Sequence, residues 1–523
     1  MSNNEENKQE KKVKQIKQVN DEDLDIDDDS DENKNEIKEA KEIKDDDLEE
    51  NEEKIDKKEI ESSYYVDGAK KVFNISSTPF ISEISIINVK NNIPPNRCYL
   101  AVEYSKENNS IICIGGSDDK CNQYNKITEY DISNNVWNFW KCEEQSETGL
   151  ELSGHSSNLI NLNDEEKIFI FGGYDNWKQE FTAQSYLVDI KMKTFERINY
   201  YSSYDNNNEL PLPRTYHSSN FYEEEVEVKA EDKDEDIKEK VINKVILIYG
   251  GTDMNINHLK EDNFQSLWKF DLSKRMWYKI NLEIKSPQIN HDGPPRGHTS
   301  VLLNDKLYIL GGVTSFKKFQ NSLHIINLKE KYIELIDYNK ESFKKGCIPE
   351  PLAFHSAVLL NDKTMFIHGG LDKRYNATNT CYIYHINEMK FDKISIDLIP
   401  NLFGHKVVMN PDKDKLYIIG GLDNFKYVGN ESLIYKIERE QDNIFNKGKV
   451  EFFPMKNILE ITINKDQLVE KQFGETPEPG ETREPGETPE PGETREPENK
   501  NKKNDENSNK KIRWKKLFYA NIN

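Results

Sequence analysis

The chain has 523 residues, with 95 acidic against 72 basic side chains for a net charge of −23. No stretch approaches the ~18–20 consecutive apolar residues of a membrane span, and the charged N-terminus lacks an apolar signal core, so a cytoplasmic protein is expected, with the nucleus as second compartment. Six cysteines (Cys98, Cys113, Cys121, Cys142, Cys347, Cys381) show no C-x-x-C and no zinc spacing, and read as reduced thiols rather than a disulfide frame.

Residues 1–61 contain no aromatic side chain and carry 25 acids against 12 bases. A segment of that composition cannot bury enough surface to fold alone, so a disordered acidic, lysine-rich tail is expected. Within it, Lys11-Lys-Val-Lys-Gln-Ile-Lys17 is a lysine run of the kind found in nuclear signals and, more often, on solvated faces. Residues 62–94 read as a linker holding one candidate strand, 83–89.

Residues 95–457 form the folded part. Six times an apolar strand runs into two glycines: Gly115-Gly116, Gly172-Gly173, Gly250-Gly251, Gly311-Gly312, Gly369-Gly370 and Gly420-Gly421. Successive pairs lie 57, 78, 61, 58 and 51 residues apart, a spacing in the range of propeller blades. Upstream of five pairs stands a histidine: His155, His217, His298, His355 and His405. Leu100 takes that place in the first repeat, within Arg97-Cys-Tyr-Leu100, which otherwise parallels Arg214-Thr-Tyr-His217. Downstream come Tyr130-Asp131 with Trp137, and Phe270-Asp271 with Trp277; weaker counterparts end in Phe195, Tyr332 and Phe391.

Each unit therefore reads as four short strands. The histidine opens the first, and the run into Gly-Gly is apolar without alternation, as a strand covered on both faces must be. A lone sheet with two apolar faces cannot hide both, whereas six in a ring can. The predicted fold is all-β, a six-bladed propeller.

The longest spacing holds the insertion 223–240, with ten acids and four lysines, between the first two strands of the third unit. It is expected to lengthen that hairpin loop on the face opposite the loops that follow Gly-Gly. In blade six the first three strands are expected at about 405–409, 416–419 and 431–438. Its outer strand has three candidates: Glu83–Val89, Val450–Met455 and Ile512–Leu517. Residues 458–511 read as a linker, in which Gly-Glu-Thr-[Pro/Arg]-Glu-Pro recurs four times over 474–497 as an extended spacer. Residues 512–523 form a C-terminal segment. With the charge of both tails and the insertion set aside, the propeller itself is left with roughly −3, which offers no basic face for nucleic acid.

The six units, from about 95 to 440, resemble the kelch repeat. That resemblance implies a kelch-only propeller, since no BTB, BACK or F-box segment is apparent in residues 1–94. It implies a non-catalytic scaffold or adaptor without cofactor or metal, binding a protein or peptide through the rim loops after Gly-Gly, with cytoskeletal, GTPase or ubiquitin-ligase clients as options. The alternative is a propeller enzyme, a metal oxidase or sugar epimerase, with its site in the central channel. No copper-ligand set is assignable, and the iron pattern Glu-x-x-x-Asp-x-x-x-His starts at Glu388 and Asp392 but meets Ile396. The repeated histidines, one per blade, are read as structural, because symmetry spreads them around the ring.

The rim loops are unequal. Loops one to three are net negative, while blades four to six offer Phe316, Lys317, Lys318 and Phe319, then Lys373, Arg374 and Tyr375, then Phe425, Lys426 and Tyr427. Blade two adds Tyr174 and Trp177. Aromatics beside Lys or Arg on exposed loops match interface hot spots, and the expected ligand is an acidic or C-terminal peptide. Some of these aromatics can instead fold back over the end of the ring. Arg97, Arg214 and Arg296 either reach the same mouth or serve the fold's own hydrogen bonding.

Overall fold

A strand that is apolar at every position must be covered on both faces, and a glycine pair after it lets another backbone approach closely. Both demands are met by the same arrangement. The structure, a computed structural model, describes residues 60–468 apart from 67–69, 119–125, 142–149, 203–208, 230–237, 254–264, 287–294, 315–317, 337, 339–345, 395, 397, 424–450, 453–454, 456 and 466–467.

Blade one is an antiparallel meander of Ala101–Ser105, Ser110–Ile114, Thr128–Asp131 and Val136–Phe139. Blade two repeats it with Ser156–Leu162, Glu165–Phe171, Ser185–Asp189 and Thr194–Ile198. Blades four and five open with Thr299–Leu303 and Ser356–Leu359 and end with Tyr332–Leu335 and Lys390–Ile394. The first strands are innermost and neighbour one another in a cycle, from Ala101–Ser105 round to Lys406–Met409 and back. Second strands such as Ser110–Ile114 and Thr364–His368 are buried throughout, and apolar clusters between successive sheets form the core. Trp137 and Trp277 are fully buried in fourth strands. The Trp137 indole donates to the Met455 carbonyl at 3.2 Å, tying blade one to blade six.

In blade three the acidic insertion is strand, not loop, at both of its ends, and residues 230–237 between them lie outside the described residues. Ser218–Lys229 and Lys238–Tyr249 pair along their whole length as one ribbon, in register from Ser218↔Tyr249 to Lys229↔Lys238. The correction has a simple cause. Acids on one strand face lysines on the other, Glu223 opposite Lys244 and Glu227 opposite Lys240, with an ion pair from Glu225 to Lys240. Opposite charges facing across a ladder favour its pairing. The ribbon leaves the ring at the end away from Gly-Gly, as its register requires.

Blade six departs most from expectation. Residues 431–438 lie outside the described residues, and the place beside Lys415–Ile419 is taken by Asn457–Ile463. The segment from 458 is therefore not linker at its start. Its side chains supply the reason: Leu459, Ile461 and Ile463 alternate onto one buried face, and Ile458 is buried on the other. The fourth position is filled by Ile81–Asn88, antiparallel to Asn457–Ile463. Glu451–Phe452, within the second candidate, instead pairs with Leu422–Asp423 in a small rim sheet. The third candidate, Ile512–Leu517, lies outside the described residues.

Nor are 62–94 simply a linker, or 60–61 part of a tail. Lys70–Ile75 and Ile60–Val66 add two more strands outside Ile81–Asn88, making a six-stranded sheet. Phe73 and Ile75 join its core. Glu460, almost fully buried, receives Lys70 at 2.7 Å and Lys415 at 3.4 Å, bridging this added edge to the blade.

Candidate functional site

The residue just before each first strand's opening position builds the axis. These residues are Tyr99, Gly154, Tyr216, Gly297, Phe354 and Gly404, all with φ between +55° and +64°. Their backbones close a ring of six hydrogen bonds. Tyr99 N–H donates to Gly404 O (2.8 Å), Gly404 to Phe354 (2.9 Å) and Phe354 to Gly297 (2.6 Å). Gly297 donates to Tyr216 (2.9 Å), Tyr216 to Gly154 (2.9 Å) and Gly154 to Tyr99 (3.0 Å). Aromatic and glycine alternate for a steric reason. A Cβ on Gly404 would stand 2.9 Å from the Tyr99 ring, and one on Gly297 2.8 Å from Phe354. The three rings converge, with centroids 5.0 Å apart for Tyr99–Tyr216 and Tyr216–Phe354 and 5.6 Å for Tyr99–Phe354. At those separations aromatic pairs attract edge to face. Together they cap the axis on the Gly-Gly side.

Beneath the cap lies a chamber of about 70 Å³, lined by His155, His217, His298, His355, His405, Leu100 and Lys406 along with the ring residues. Each histidine reaches from its own blade toward the one before. The His217 Nε2 pairs with Ser156 Oγ and His298 Nε2 with Ser218 Oγ, both at 2.8 Å, and His355 Nε2 with Thr299 Oγ1 at 2.9 Å. His405 turns instead to His368 at 2.9 Å, and Ser356 Oγ accepts from Val407 N–H. Burial disfavours the imidazolium throughout. It pulls His155 and His355 down to about 3 and His298 to about 4, with His217 and His405 also well below the usual range. The layer is neutral near pH 7. Among the described residues no group of three His, Cys, Asp or Glu is placed to hold one metal ion.

All twelve paired glycines have φ between +61° and +100°. Gly116 shows their purpose: its N–H donates to Leu152 O of the next blade at 2.8 Å, leaving no room for a Cβ on Gly115. The arginines are buried, not at a mouth. Arg97 donates to Gly115 O at 3.0 Å and Thr128 Oγ1 at 2.5 Å, and Arg214 to Gly250 O at 3.1 Å.

The rim candidates divide. Phe319 and Tyr375 fold back, half-buried, into an edge-to-face pair at 5.1 Å that packs with Phe354 on Val313 and Ala353. Lys318, Lys373 and Arg374 stay exposed beside them. Asp372 fixes the turn, its carboxylate accepting from Arg374 and Asn376 N–H at 2.8 and 2.9 Å. Tyr174 is half-buried against Phe181, and Trp177 is 65% exposed. Phe316, Lys317, Phe425, Lys426 and Tyr427 lie outside the described residues.

Sequence reasoning missed the axial ring, although its signal was present. Aligning the position before each histidine gives Tyr, Gly, Tyr, Gly, Phe, Gly. It also passed over Lys406, which a comparison of the next position would have isolated.

Repeated four-stranded units, glycine-directed contacts and a closed axial ring define a kelch-repeat β-propeller. The family model for the KLHDC2/KLHL20/DRC7 Kelch-repeats domain matches residues 70–229 and 236–421. The chain belongs to that kelch-repeat family, whose fold is that of a protein-interaction propeller and which is generally non-catalytic.

Proposed function

We propose that this chain is a cytoplasmic scaffold or adaptor that captures an acidic peptide segment of a protein partner on the Gly-Gly face of blades four and five. The observation that carries this is the juxtaposition of exposed Lys318, Lys373 and Arg374 with the Phe319–Tyr375 pair. The aromatic pair is held from below, so little side-chain entropy is lost on binding, and the cations supply steering and register. The loops are pinned by bridges from Val313 to Phe319 and from Leu371 to Ala377, which makes the platform preformed.

The test is charge reversal of Lys318, Lys373 and Arg374 to Glu, with partner capture by proximity labelling and affinity for an acidic peptide panel measured beside wild type. A loss of tenfold or more is expected, roughly 0.5 kcal/mol from each rim charge. Equal capture by both proteins would refute the assignment. Stoichiometric copper or iron in the purified protein would instead favour the enzymatic alternative.

A further inference from the structure

The chamber's wall follows one pattern at three junctions, where a histidine meets the first hydroxyl of the preceding inner strand, as His217 meets Ser156, His298 Ser218 and His355 Thr299. At blade six both residues are present but His405 turns to His368, and at blade one the residues themselves differ. At the junction of blades one and two that hydroxyl position is Ala101. His155, 5% exposed, consequently has no hydrogen-bond partner among the described residues at either ring nitrogen. At the junction of blades six and one the histidine is replaced by Leu100 and the hydroxyl by Lys406. Two neighbouring irregularities thus leave a donor-bearing imidazole and an ammonium on one chamber wall.

We propose that the chamber holds a small anion, a halide or compact oxyanion, between Lys406 and His155. Among the described residues that line the chamber, Lys406 alone carries a formal charge. It remains exposed within it, and among the described residues no salt bridge engages its amine. The ammonium repels a cation, and together with the imidazole N–H it offers an anion two donors. The nearest opposing charge, Glu103, lies two residues further down the inner strand and does not line the chamber; its carboxylate accepts from Ser157 Oγ at 2.5 Å. It attracts Lys406 without occupying the same space. Although Lys406 faces the chamber, its enclosure by the ring partly desolvates the ammonium and Glu103 restores part of its charge, so a bound anion would stabilise the ammonium further. The volume suits an ion of a few heavy atoms, and the Tyr99–Tyr216–Phe354 cap excludes a peptide from the Gly-Gly side. This site is independent of the rim platform.

The fold itself supplies the control. Leu100→His, Ala101→Ser and Lys406→Ser together restore at blade one the pattern of the other blades. Leu100 already occupies the histidine's place, its side chain against Gly116 and Gly420 as His155 lies against Gly173 and Gly115. Crystals of the full chain soaked in bromide are expected to show an anomalous peak within hydrogen-bonding distance of Lys406 Nζ and His155, absent in the triple variant. In solution, bromide or phosphate at about a hundredfold excess over its Kd should raise the wild-type Tm by a few degrees at constant ionic strength, against a bulky gluconate control. The triple variant should not respond. Ala101→Ser alone, which gives His155 a hydroxyl while sparing Lys406, should weaken the response several-fold. Phosphate displacing bromide identifies an oxyanion site, and bromide insensitive to phosphate a halide site. A chamber without a peak, or an equal anion response in the repaired variant, overturns the proposal and leaves only water there.

Discussion

Two arcs of the inner ring close the same seam with different chemistry. From blade one to blade four, the third residue of each first strand reaches the second residue of the next through hydrogen bonds. Glu103 meets Ser157 at 2.5 Å, Asn158 donates to Ser219 O at 3.2 Å, and Ser300 donates to Asn220 Oδ1 at 2.5 Å. From blade four round to blade one the corresponding pairs are Val301 with Ala357, Val358 with Val407, and Val408 with Val102, each pair within one apolar cluster. One backbone geometry accepts either solution provided each seam is complete. Both arcs share the histidine layer above, and that layer is where the largest effect is expected.

The ring histidines are kept neutral by the fold, with folded pKa values near 3 to 4 or lower, against about 6.5 in an unfolded chain. The unfolded state therefore binds more protons below pH 6.5. Stability is fully present above that pH and falls as pH drops toward 4, by about 1.4 kcal/mol per pH unit for each histidine once its unfolded form is protonated. Urea midpoints at pH 7.5, 6.5 and 5.5 test this before most carboxylates titrate. A flat profile across that window would mean the layer protonates in place. Acid should act on the layer both arcs share and not discriminate between them.

A smaller effect separates the arcs directly. Val301→Asn puts the polar arc's residue into the apolar one, where Ala357 offers no hydroxyl. A buried amide without a partner, together with lost packing, should cost about 2–3 kcal/mol. Adding Ala357→Ser should recover part of that loss. Urea denaturation of the single and double variants reads both, and a single variant as stable as wild type would show that the seam admits water.

Much of this was legible in the sequence because the repeat is local. The glycine pairs, histidines and apolar runs fixed blades one to five with little ambiguity, since each strand pairs with its chain neighbour. Blade six was not legible in the same way. Asn457-Ile-Leu-Glu-Ile-Thr-Ile463 has a strand's alternation, but nothing local says that it pairs with Lys415–Ile419 across the intervening residues. Its other neighbour, Ile81–Asn88, comes from the far end of the chain. The rim platform was half legible. Composition identified the cations and aromatics, but whether Phe319 and Tyr375 point outward depends on the shape of the Val313–Ala353 surface beneath them, a tertiary property. The unpartnered His155 follows from Ala101, a residue informative only when aligned with Ser156, Ser218 and Thr299.

The smallest effect is also the most diagnostic. Asn220→Val alone should cost about 1–2 kcal/mol, because Ser300 keeps a hydroxyl with its acceptor removed, and Asn220 also gives up a donation to Ser300 O at 3.4 Å. Adding Ser300→Ala converts this junction into a copy of Val301 with Ala357. Because both polar partners then disappear together, the double variant should return to within about 0.5 kcal/mol of wild type. The measurement is a double-mutant cycle from urea midpoints. Recovery would establish that the two arcs are interchangeable solutions to one packing problem, so that the polar arc's chemistry is not required by the fold. If the double variant stays as unstable as the single, the hydrogen bonds of blades one to four contribute net stability and the arcs are not equivalent.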